Sequence, residues 1–393
     1  MKEHFKVFDN LDNVYLDSAS TTQKPTVVLE AMDEFYTAYC SNVHRSSSHL
    51  ANRATIEYEG AREKVRAFIG AKDCKEIIFT KGVTESINFV ACSFVRGNYE
   101  NVIISSLEHH SNIVPWHMQG RNLTKGLKVV DIKENLEFDY EHFEKLLQET
   151  PNAFVSIAYV SNAFGVVHDI KRIAKMTHQY GALILVDGAQ STPHIPIDVQ
   201  DLGIDFYTFS SHKTYGPMGV GVLYANEKCL ASLKPYQGGG GSIYEVDYDY
   251  TRFADSPICY ESGTPNIAEA IGLGRAIDFL TDIGLDYIVK HEKELSTYLL
   301  QRLNEIDGVQ TYSALEHNLG SYSFNIKDIN ANDIGLLLDG QKIAIRYGNH
   351  CAQPIMKKLG ISGTLRVSIA LYSDREDIDK LIKALKRAIS MLS

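Results

Sequence analysis

The chain alternates short apolar runs with segments of helical periodicity, and this alternation constrains its fold more than any other feature. Six of the runs have the length and composition of strands: Glu76–Thr80, Val102–Ser105, Ala153–Tyr159, Ala182–Val186, Asp205–Ser210 and Val220–Tyr224. Strands that alternate with helices form a mainly parallel sheet covered by helices. Such sheets bind ligands at the carboxyl ends of their strands. We therefore predict an α/β fold whose functional residues directly follow the strands.

The pattern changes after the glycine-rich segment 238–242. Long helices are predicted next, followed by short strands and a last helix: Ile267–Ile283, Leu285–Ile306, Ser321–Ile326, Leu365–Ala370 and Ile378–Leu392. A chain of 393 residues, 44% of them hydrophobic, is long enough for two domains. We place the boundary near residue 265. The large domain then covers residues 17–264, and a smaller α+β domain covers residues 1–16 and 265–393.

Charge and cysteine content limit the classes of partner. Asp and Glu outnumber Lys and Arg by 49 to 39, a formal charge of -10, which disfavours binding to nucleic acid or anionic membranes. The start lacks a signal-peptide pattern, and no run of about 18 apolar residues occurs. The six cysteines form no CxxC or CxxH pair, so we predict neither a metal site nor a disulfide framework. We expect a cytoplasmic protein whose partners are small molecules and proteins.

Two charged residues close neighbouring predicted strands. Lys213 follows the strand that ends at Ser210, and a lysine fixed there can form an imine with an aldehyde cofactor if its amine is near neutral. Asp187 ends the run Ala182–Val186 and could pair with the ring nitrogen of pyridoxal 5'-phosphate (PLP). Alone, Lys213 could be a solvated surface charge and Asp187 a helix cap. Together they favour a PLP site.

Two further strand-to-helix turns are candidates for cofactor contacts. In Thr80–Glu85 a strand gives way to a helix whose free N–H groups favour a phosphate, and Thr84 could add a hydrogen bond. An ordinary helix start explains the same pattern. In Glu108–Asn112 the imidazole of His109 could stack on a ring, although paired histidines are more often structural or exposed.

Cys351 differs from the other cysteines in its surroundings. The segment 345–351 contains Arg346 and His350, and these cationic or hydrogen-bonding neighbours favour a thiolate. Cys92 lies on an apolar helical pattern and is expected to belong to the core. The remaining four are expected to be small, inert thiols: Cys40, Cys74, Cys229 and Cys259.

Taken together, the motifs resemble the class V aminotransferase group of fold-type I PLP enzymes. Within that group the chain is similar to the SUF-type cysteine desulfurases and selenocysteine lyases. The segments that carry the resemblance extend along nearly the whole chain: Tyr15–Ala19, Val43–Arg45, Glu108–His110, Val160–Asn162, Val186–Gln190, Ser210–Lys213, Glu261–Asn266 and His350–Pro354. The resemblance implies a large PLP-binding domain with a mainly parallel sheet and a smaller α+β domain.

The resemblance also implies roles around the cofactor. Lys213 would hold PLP as an imine, Asp187 would pair with the ring nitrogen, and Gln190 would bond the ring hydroxyl. His109 would stack on the ring and take part in catalysis. Four residues would bind the phosphate, the last from the second subunit of a homodimer: Thr84, Ser210, His212 and Thr264.

On the substrate side, the resemblance implies that Asn162 and Arg366 hold the carboxylate, for which a planar guanidinium is well suited. Arg346 and His44 would also contact the substrate. Cys351 would accept sulfur from L-cysteine, leaving alanine and a persulfide that passes to an acceptor protein, with iron–sulfur cluster assembly as the expected destination. Selenocysteine lyase, another class V activity and a PLP-binding scaffold without catalysis are the alternatives.

Overall fold

The computed structural model describes residues 1–44, 47–120, 126–312 and 318–392. Arg45, part of one motif above, lies outside these residues. The strands are Val14–Tyr15 (β1), Ile77–Thr80 (β2), Asn101–Ser105 (β3), Gly126–Val130 (β4), Ala153–Ala158 (β5), Leu183–Asp187 (β6), Phe206–Ser210 (β7), Gly221–Ala225 (β8), Ile243–Val246 (β9), Thr251–Phe253 (β10), Val309–Thr311 (β11), Ser321–Ile326 (β12), Ile343–Ala344 (β13), Arg346–Gly348 (β14) and Thr364–Ser368 (β15). The helices are Thr26–Ala38 (α1), His49–Phe68 (α2), Val83–Val90 (α3), Val114–Met118 (α4), Tyr140–Glu149 (α5), Ile170–Gln179 (α6), Glu227–Leu230 (α7), Ile267–Ile283 (α8), Leu285–Asn304 (α9), Ala331–Asp339 (α10), Gln353–Lys358 (α11) and Arg375–Leu392 (α12).

A seven-stranded sheet forms the large part of the molecule, with the order β2-β8-β7-β6-β5-β3-β4. Strands β4, β3, β5, β6 and β7 pair in parallel, whereas β8 runs antiparallel to both of its neighbours, β7 and β2. All six predicted strands belong to this sheet, and β4 is a further strand. The predicted α/β fold with a mainly parallel sheet is confirmed.

Both faces of this sheet are covered, because successive side chains along each strand point to opposite sides. In β5, Phe154 joins one hydrophobic cluster while Val155 joins the other. In β6, Leu185 joins the cluster of Phe154, and Ile184 joins the cluster of Val155. Strands buried on both faces are near-continuous apolar runs, as parallel sheets require.

A four-stranded antiparallel sheet with the order β11-β12-β15-β14 forms a second, smaller core. Helix α12 packs on it through Ile378, Leu381 and Leu385, whose spacing of three and four residues gives one apolar face. Val14 also joins this cluster, and β1 pairs in parallel with β13.

Helix α8 begins two residues after the predicted domain boundary. Its residues Ile267, Ile271 and Leu273 belong to the cluster of the large sheet, together with Tyr58 of α2. The boundary near residue 265 stays a prediction, and the packing of α8 shows that contact with the large sheet continues beyond it. Among the described residues, no helix has both the length and the apolar composition that crossing a membrane requires.

Candidate active site

The carboxyl ends of three neighbouring parallel strands open into one pocket. Strand β5 ends at Ala158, β6 at Asp187 and β7 at Ser210. Most of the predicted site residues line this pocket: Thr84, His109, Asn162, Asp187, Gln190, Ser210, His212, Lys213, Arg346, Cys351 and Arg366. Residues from distant parts of the sequence therefore meet at one edge of the large sheet, where this fold class binds ligands.

Lys213 ends a 3-10 turn that directly follows β7. The amide of Ser211 at the start of this turn donates to the carbonyl oxygen of Val220, 3.1 Å away, which ties the turn to the next strand. Burial lowers the pKa of Lys213 to about 8, the charge of Asp187 opposes this shift, and Arg366 adds to it. Near neutral pH a much larger fraction of this amine is uncharged than in an ordinary lysine, and the uncharged amine is the nucleophile and base.

Asp187 offers a carboxylate to the same pocket. Its Oδ1 accepts a hydrogen bond from the amide of Ala189 at 2.9 Å, and the residue is only 5% exposed. Burial raises the pKa of this carboxyl, while the Ala189 bond and the charge of Lys213 lower it. A buried carboxylate is stabilised by a cation beside it. Next to it, Gln190 donates from Nε2 to the carbonyl oxygen of Ala19 at 2.8 Å.

His109 lies at the start of the turn that follows β3. Its Nδ1 accepts a hydrogen bond from the amide of Ser111 at 3.0 Å, so the acceptor nitrogen carries no proton. Burial, reinforced by the charge of Lys213, lowers the pKa of His109 to about 3. The ring is therefore a neutral, flat surface facing the pocket at neutral pH.

One end of the pocket has the features of an anion site. Helix α3 begins at Val83, whose amide donates to Ser210 Oγ at 2.9 Å, and the hydroxyls of Thr84 and Ser111 lie 2.7 Å apart. Gly82 precedes the helix with a φ of 149°, and a Cβ there would lie 3.1 Å from Ser210 Oγ. The helix N-terminus and these hydroxyls together favour a phosphate.

Two arginines that line the same pocket converge on Asp17. Arg366 donates from one terminal nitrogen to Asp17 at 3.0 Å and from the other to the carbonyl oxygen of Asn162 at 2.8 Å. Arg346 also contacts Asp17, at 3.1 Å, and donates to Ser20 Oγ. Burial lowers the pKa of Arg366, and the charge of Asp17 opposes that shift.

Three buried polar atoms on this side have no hydrogen-bond partner among the described residues: Asn162 Oδ1, His350 Nδ1 and Arg366 Nε. Native proteins rarely leave such atoms unpaired, and each unpaired atom costs roughly 1–3 kcal/mol. Their clustering on one wall is the expected arrangement for a site that binds a small polar molecule.

Cys351 is the cysteine that lines the pocket, and it is exposed. The other thiols differ in their surroundings, and Cys92, expected in the core, is exposed instead. Cys229 and Cys259 are buried, and burial raises the pKa of Cys259 to about 11. Burial also raises the pKa of Cys74 to about 12, with a further contribution from its hydrogen bond to Glu63. Of the six thiols, Cys351 is thus the one in contact with the cavity that contains Lys213.

Thr264 and His44 lie apart from these residues. Both line a separate cleft that includes Gly241 and Pro265. His44 Nε2 is 3.3 Å from Glu59 Oε1. Within a single chain, the two are not brought together with Lys213 and Cys351.

Comparison with known proteins decides the family. Residues 14–381 match the sequence model described as aminotransferase class-V. The chain belongs to the class V aminotransferase family. This confirms the family resemblance inferred from the motifs.

Relatives of this class V chain carry more specific names. It is 46% identical to a probable cysteine desulfurase of Halalkalibacterium halodurans, with 98% of this chain and 97% of the relative covered. The apo structure of cysteine desulfurase from Thermococcus onnurineus NA1 superposes with a TM-score of 0.93 at 36% identity, covering 99% and 97% of the two chains. Cysteine desulfurase CsdA from Escherichia coli, in an S-sulfonic acid form, gives 0.90 at 38% identity, covering 99% and 98%.

Two residues at this site had no role in the sequence interpretation. Asp17 joins both arginines, and Glu108, directly before His109, is buried. His350, expected beside Cys351 as a cationic or hydrogen-bonding neighbour, lines the pocket, but burial lowers its pKa to about 3, so it adds no positive charge near neutral pH. Glu108 accepts hydrogen bonds from Asn112 Nδ2 at 2.6 Å and from the amide of Ala158. Glu108 directly precedes a predicted site residue and Asp17 lies within the motif segment Tyr15–Ala19, and these are the signals that could have found them.

Proposed function

We propose that the protein is a PLP-dependent cysteine desulfurase, which converts L-cysteine to L-alanine and retains the sulfur as a persulfide on Cys351. The observation that carries this proposal is that Cys351 opens onto the same pocket as Lys213 and Arg366. A thiol nucleophile, an amine of lowered pKa and a carboxylate-binding group are the three parts that this reaction needs. The names of the relatives support the same activity.

The residues present fit PLP. The N-terminus of α3 with Thr84, Ser210 and His212 would hold the phosphate, and Asp187 would face the ring nitrogen. His109 would stack on the ring, Gln190 would contact its hydroxyl, and Lys213 would bind the aldehyde carbon. The buried carboxyl of Asp187, whose pKa burial raises, is suited to pairing with a ring cation. When bound, PLP supplies an electron sink that stabilises negative charge on the substrate carbon bearing the amino group.

The substrate would be held by its carboxylate. Arg366 has an unpaired donor at Nε, Asn162 lies beside it, and Arg346 adds a second positive charge at the pocket wall. Because the single negative charge of Asp17 balances one of the two guanidinium charges, one positive charge is left to pair with the substrate carboxylate. The same pair would orient the substrate sulfur towards Cys351.

Lys213 would move the substrate proton. An amine with a pKa of about 8 can accept the proton from the substrate α-carbon and return a proton to the carbon skeleton. The Cys351 sulfur then attacks the substrate sulfur: the S–S bond forms as the C–S bond breaks. The electron pair of the C–S bond stays with the three-carbon product, which gains a proton and leaves as alanine.

A homodimer and a sulfur-acceptor protein complete the proposed function. In a homodimer, Thr264 of each subunit would reach the phosphate site of the other, which is consistent with its position outside the pocket of its own chain. The persulfide sulfur would pass to an acceptor protein, with iron–sulfur cluster assembly as the destination. All six cysteines are free thiols, which fits a reducing compartment such as the cytoplasm.

The test measures alanine released from L-cysteine in the presence of PLP and a reductant. Wild type and Cys40→Ser, which alters an exposed thiol outside the pocket, should form alanine at equal rates. Cys351→Ser should bind PLP but lose alanine formation from cysteine. With selenocysteine, the weaker carbon–selenium bond lets selenium leave without being attacked, so this variant should retain lyase activity. A wild type that yields no alanine, or a Cys351→Ser variant with normal cysteine turnover, contradicts the proposed reaction.

A further inference from the structure

The main chain at Cys351 has an uncommon conformation. His350 has a φ of 52° and Cys351 a φ of 54°, so two consecutive residues with side chains adopt the left-handed region. Each such residue costs roughly 1–3 kcal/mol and persists only where the surrounding structure fixes it. The groups that hold this pair therefore determine where the Cys351 sulfur lies.

Hydrogen bonds hold the pair from several sides. The carbonyl oxygen of His350 accepts from Asn162 Nδ2 at 2.6 Å. The amide of Cys351 donates to Asn349 Oδ1 at 3.2 Å. The carbonyl oxygen of Cys351 accepts from the amide of His110 at 2.8 Å. One of these partners, His110, comes from the turn that follows β3 in the large sheet.

His110 contacts the same segment a second time through its side chain. Its Nε2 accepts from the amide of Gln353 at 3.1 Å. Gln353 is the first residue of α11, and the first N–H groups of a helix have no partner within the helix. Because Nε2 accepts this bond, it carries no proton, and the neutral ring has its hydrogen on Nδ1. His110 thus bonds the main chain at both ends of the Cys351–Gln353 segment.

His109, the residue before His110, lines the cofactor pocket. His109 and His110 are adjacent, with ring centroids 6.2 Å apart, and the turn over His110–Asn112 begins at His109. A displacement of His110 would therefore change the distance between the pocket wall and the Cys351 segment. On the proposed desulfurase function, that distance decides whether the thiol reaches the substrate sulfur.

We propose that His110 is a positioning residue, which holds the Cys351 thiol at a fixed distance from the substrate by anchoring the main chain at residues 351 and 353. This inference rests on the proposed function for its consequence in catalysis. The anchoring itself is a property of the protein without substrate. The two parts can therefore be tested separately.

Two neutral replacements separate anchoring from general effects of substitution. In His110→Gln the side-chain oxygen reaches about as far as Nε2 and can accept the Gln353 amide, whereas in His110→Asn it is one bond too short. His142→Ala serves as the control, because Nδ1 of His142 accepts the amide of Asp131 at 3.2 Å outside the pocket. It removes a bond of the same kind without touching the Cys351 segment.

The first measurement is amide hydrogen exchange of the segment 349–355 in the protein carrying PLP but no substrate. Loss of one hydrogen bond should speed exchange about fivefold to tenfold in His110→Asn. His110→Gln and His142→Ala should match wild type there. The His110 amide is present in every variant, so equal protection in His110→Asn and wild type would overturn the anchoring by the His110 side chain, whatever reaction the enzyme catalyses.

The second measurement compares two substrates. In His110→Asn, kcat for alanine from cysteine should fall at least about tenfold, because a thiol displaced by a fraction of an ångström misses the attack geometry. Selenocysteine turnover and the visible absorbance of bound PLP should stay at wild-type levels, and His110→Gln should restore the cysteine reaction. Equal losses with both substrates, or no rescue by glutamine, would refute the positioning role. Failure of wild type to use cysteine would instead refute the proposed function and leave the exchange result to stand.

Discussion

Arg366 donates a 3.0 Å hydrogen bond to the carboxylate of Asp17, a residue 349 positions away in the chain. The Arg366 side chain is 3% exposed and that of Asp17 is 16% exposed, so the pair is largely removed from water. Arg346 contacts the same carboxylate from the more exposed side. One carboxylate therefore partly neutralises two cations beside the unpaired atoms of the pocket.

Asp17→Ala should destabilise the protein strongly, because it leaves the buried Arg366 guanidinium without its counter-charge. Breaking a buried ion pair from one side costs about 3–5 kcal/mol, and the retained bond to the Asn162 carbonyl moves the expected loss to the lower end, roughly 3 kcal/mol. The measurement is the shift of the denaturant midpoint.

Asp12→Ala is the matched control, since Asp12 pairs with Lys342 on the surface and is 83% exposed. Exposed pairs contribute little to stability. A denaturant midpoint for Asp17→Ala no lower than that of Asp12→Ala would contradict the importance assigned to the buried pair.

Much of the large sheet could be predicted because its strands are continuous apolar runs. Strands β5, β6 and β7 lie within one residue of the predicted runs, Asp187 ends β6, and Lys213 closely follows β7. Strand β4 was missed because Gly126–Val130 is only partly buried, and a run with Lys128 in it lacks the apolar signal. The direction of β8 was not predicted either. Its antiparallel course depends on the short connection after Lys213, and no periodicity in the sequence indicates the direction of a strand.

Contacts between distant segments could not be read from local patterns. Asp17 lies near the start of the chain and Arg366 near its end, and nothing in either segment indicates the other. The same holds for His110 and Gln353, 243 residues apart. Motif similarity located the pocket residues, but the bonds among them follow from tertiary packing.

Formation of the PLP complex should accelerate with rising pH up to about pH 8 and then level off. The reason is that only the uncharged amine attacks an aldehyde, and burial lowers the pKa of Lys213 to about 8. The measurement is the growth of visible absorbance after PLP is added to apo protein at pH values from about 6 to about 10. An ordinary lysine, with a pKa near 10.4, would keep accelerating about tenfold per unit through pH 9.

Lys213→Ala should develop no such band at any pH, whereas Lys171→Ala, which alters a lysine 62% exposed, should behave as wild type. A rate in wild type that continues to rise beyond pH 9 would show that the pocket does not lower the pKa of this amine. A visible band of wild-type strength in Lys213→Ala would remove the lysine from cofactor binding.

Thr264→Ala should weaken PLP retention while leaving the fold intact. In the proposed homodimer the Thr264 hydroxyl donates to the phosphate bound by the other subunit, and a hydrogen bond to a charged group contributes about 1.5–3 kcal/mol, so affinity should fall about tenfold or more. Equilibrium dialysis measures retention, and light scattering measures the oligomeric state.

The control is Thr297→Ala. In the described part of the structure, the Thr297 hydroxyl donates to the carbonyl oxygen of Lys293 within the same helix, α9. A monomeric wild type that holds PLP tightly would exclude a shared site. So would a Thr264→Ala dimer with unchanged affinity.

Glu108 should make the stability of the protein depend on pH. Burial raises the pKa of this carboxyl from 4.5 to about 7, although hydrogen bonds from Ser105, Asn112 and Ala158 partly offset the shift. Between these two values the folded state binds more protons than the unfolded state. The stabilisation that results is fully present below about pH 4 and is lost as the pH rises through about 7.

Glu108→Gln should remove this dependence, because glutamine resembles the protonated acid. Its amide can donate to Ser105 Oγ, a hydroxyl that also accepts, while its oxygen receives the Asn112 and Ala158 donors. Relative to the variant, wild type should lose on the order of 2 kcal/mol between about pH 5 and about pH 8. The difference in denaturant midpoint between the two proteins, measured at both pH values, gives this quantity. Glu134→Gln, at an exposed position, should track wild type at both. A constant difference between wild type and Glu108→Gln would mean that Glu108 does not change its charge over this range, and that the hydrogen bonds from its three neighbours outweigh its burial.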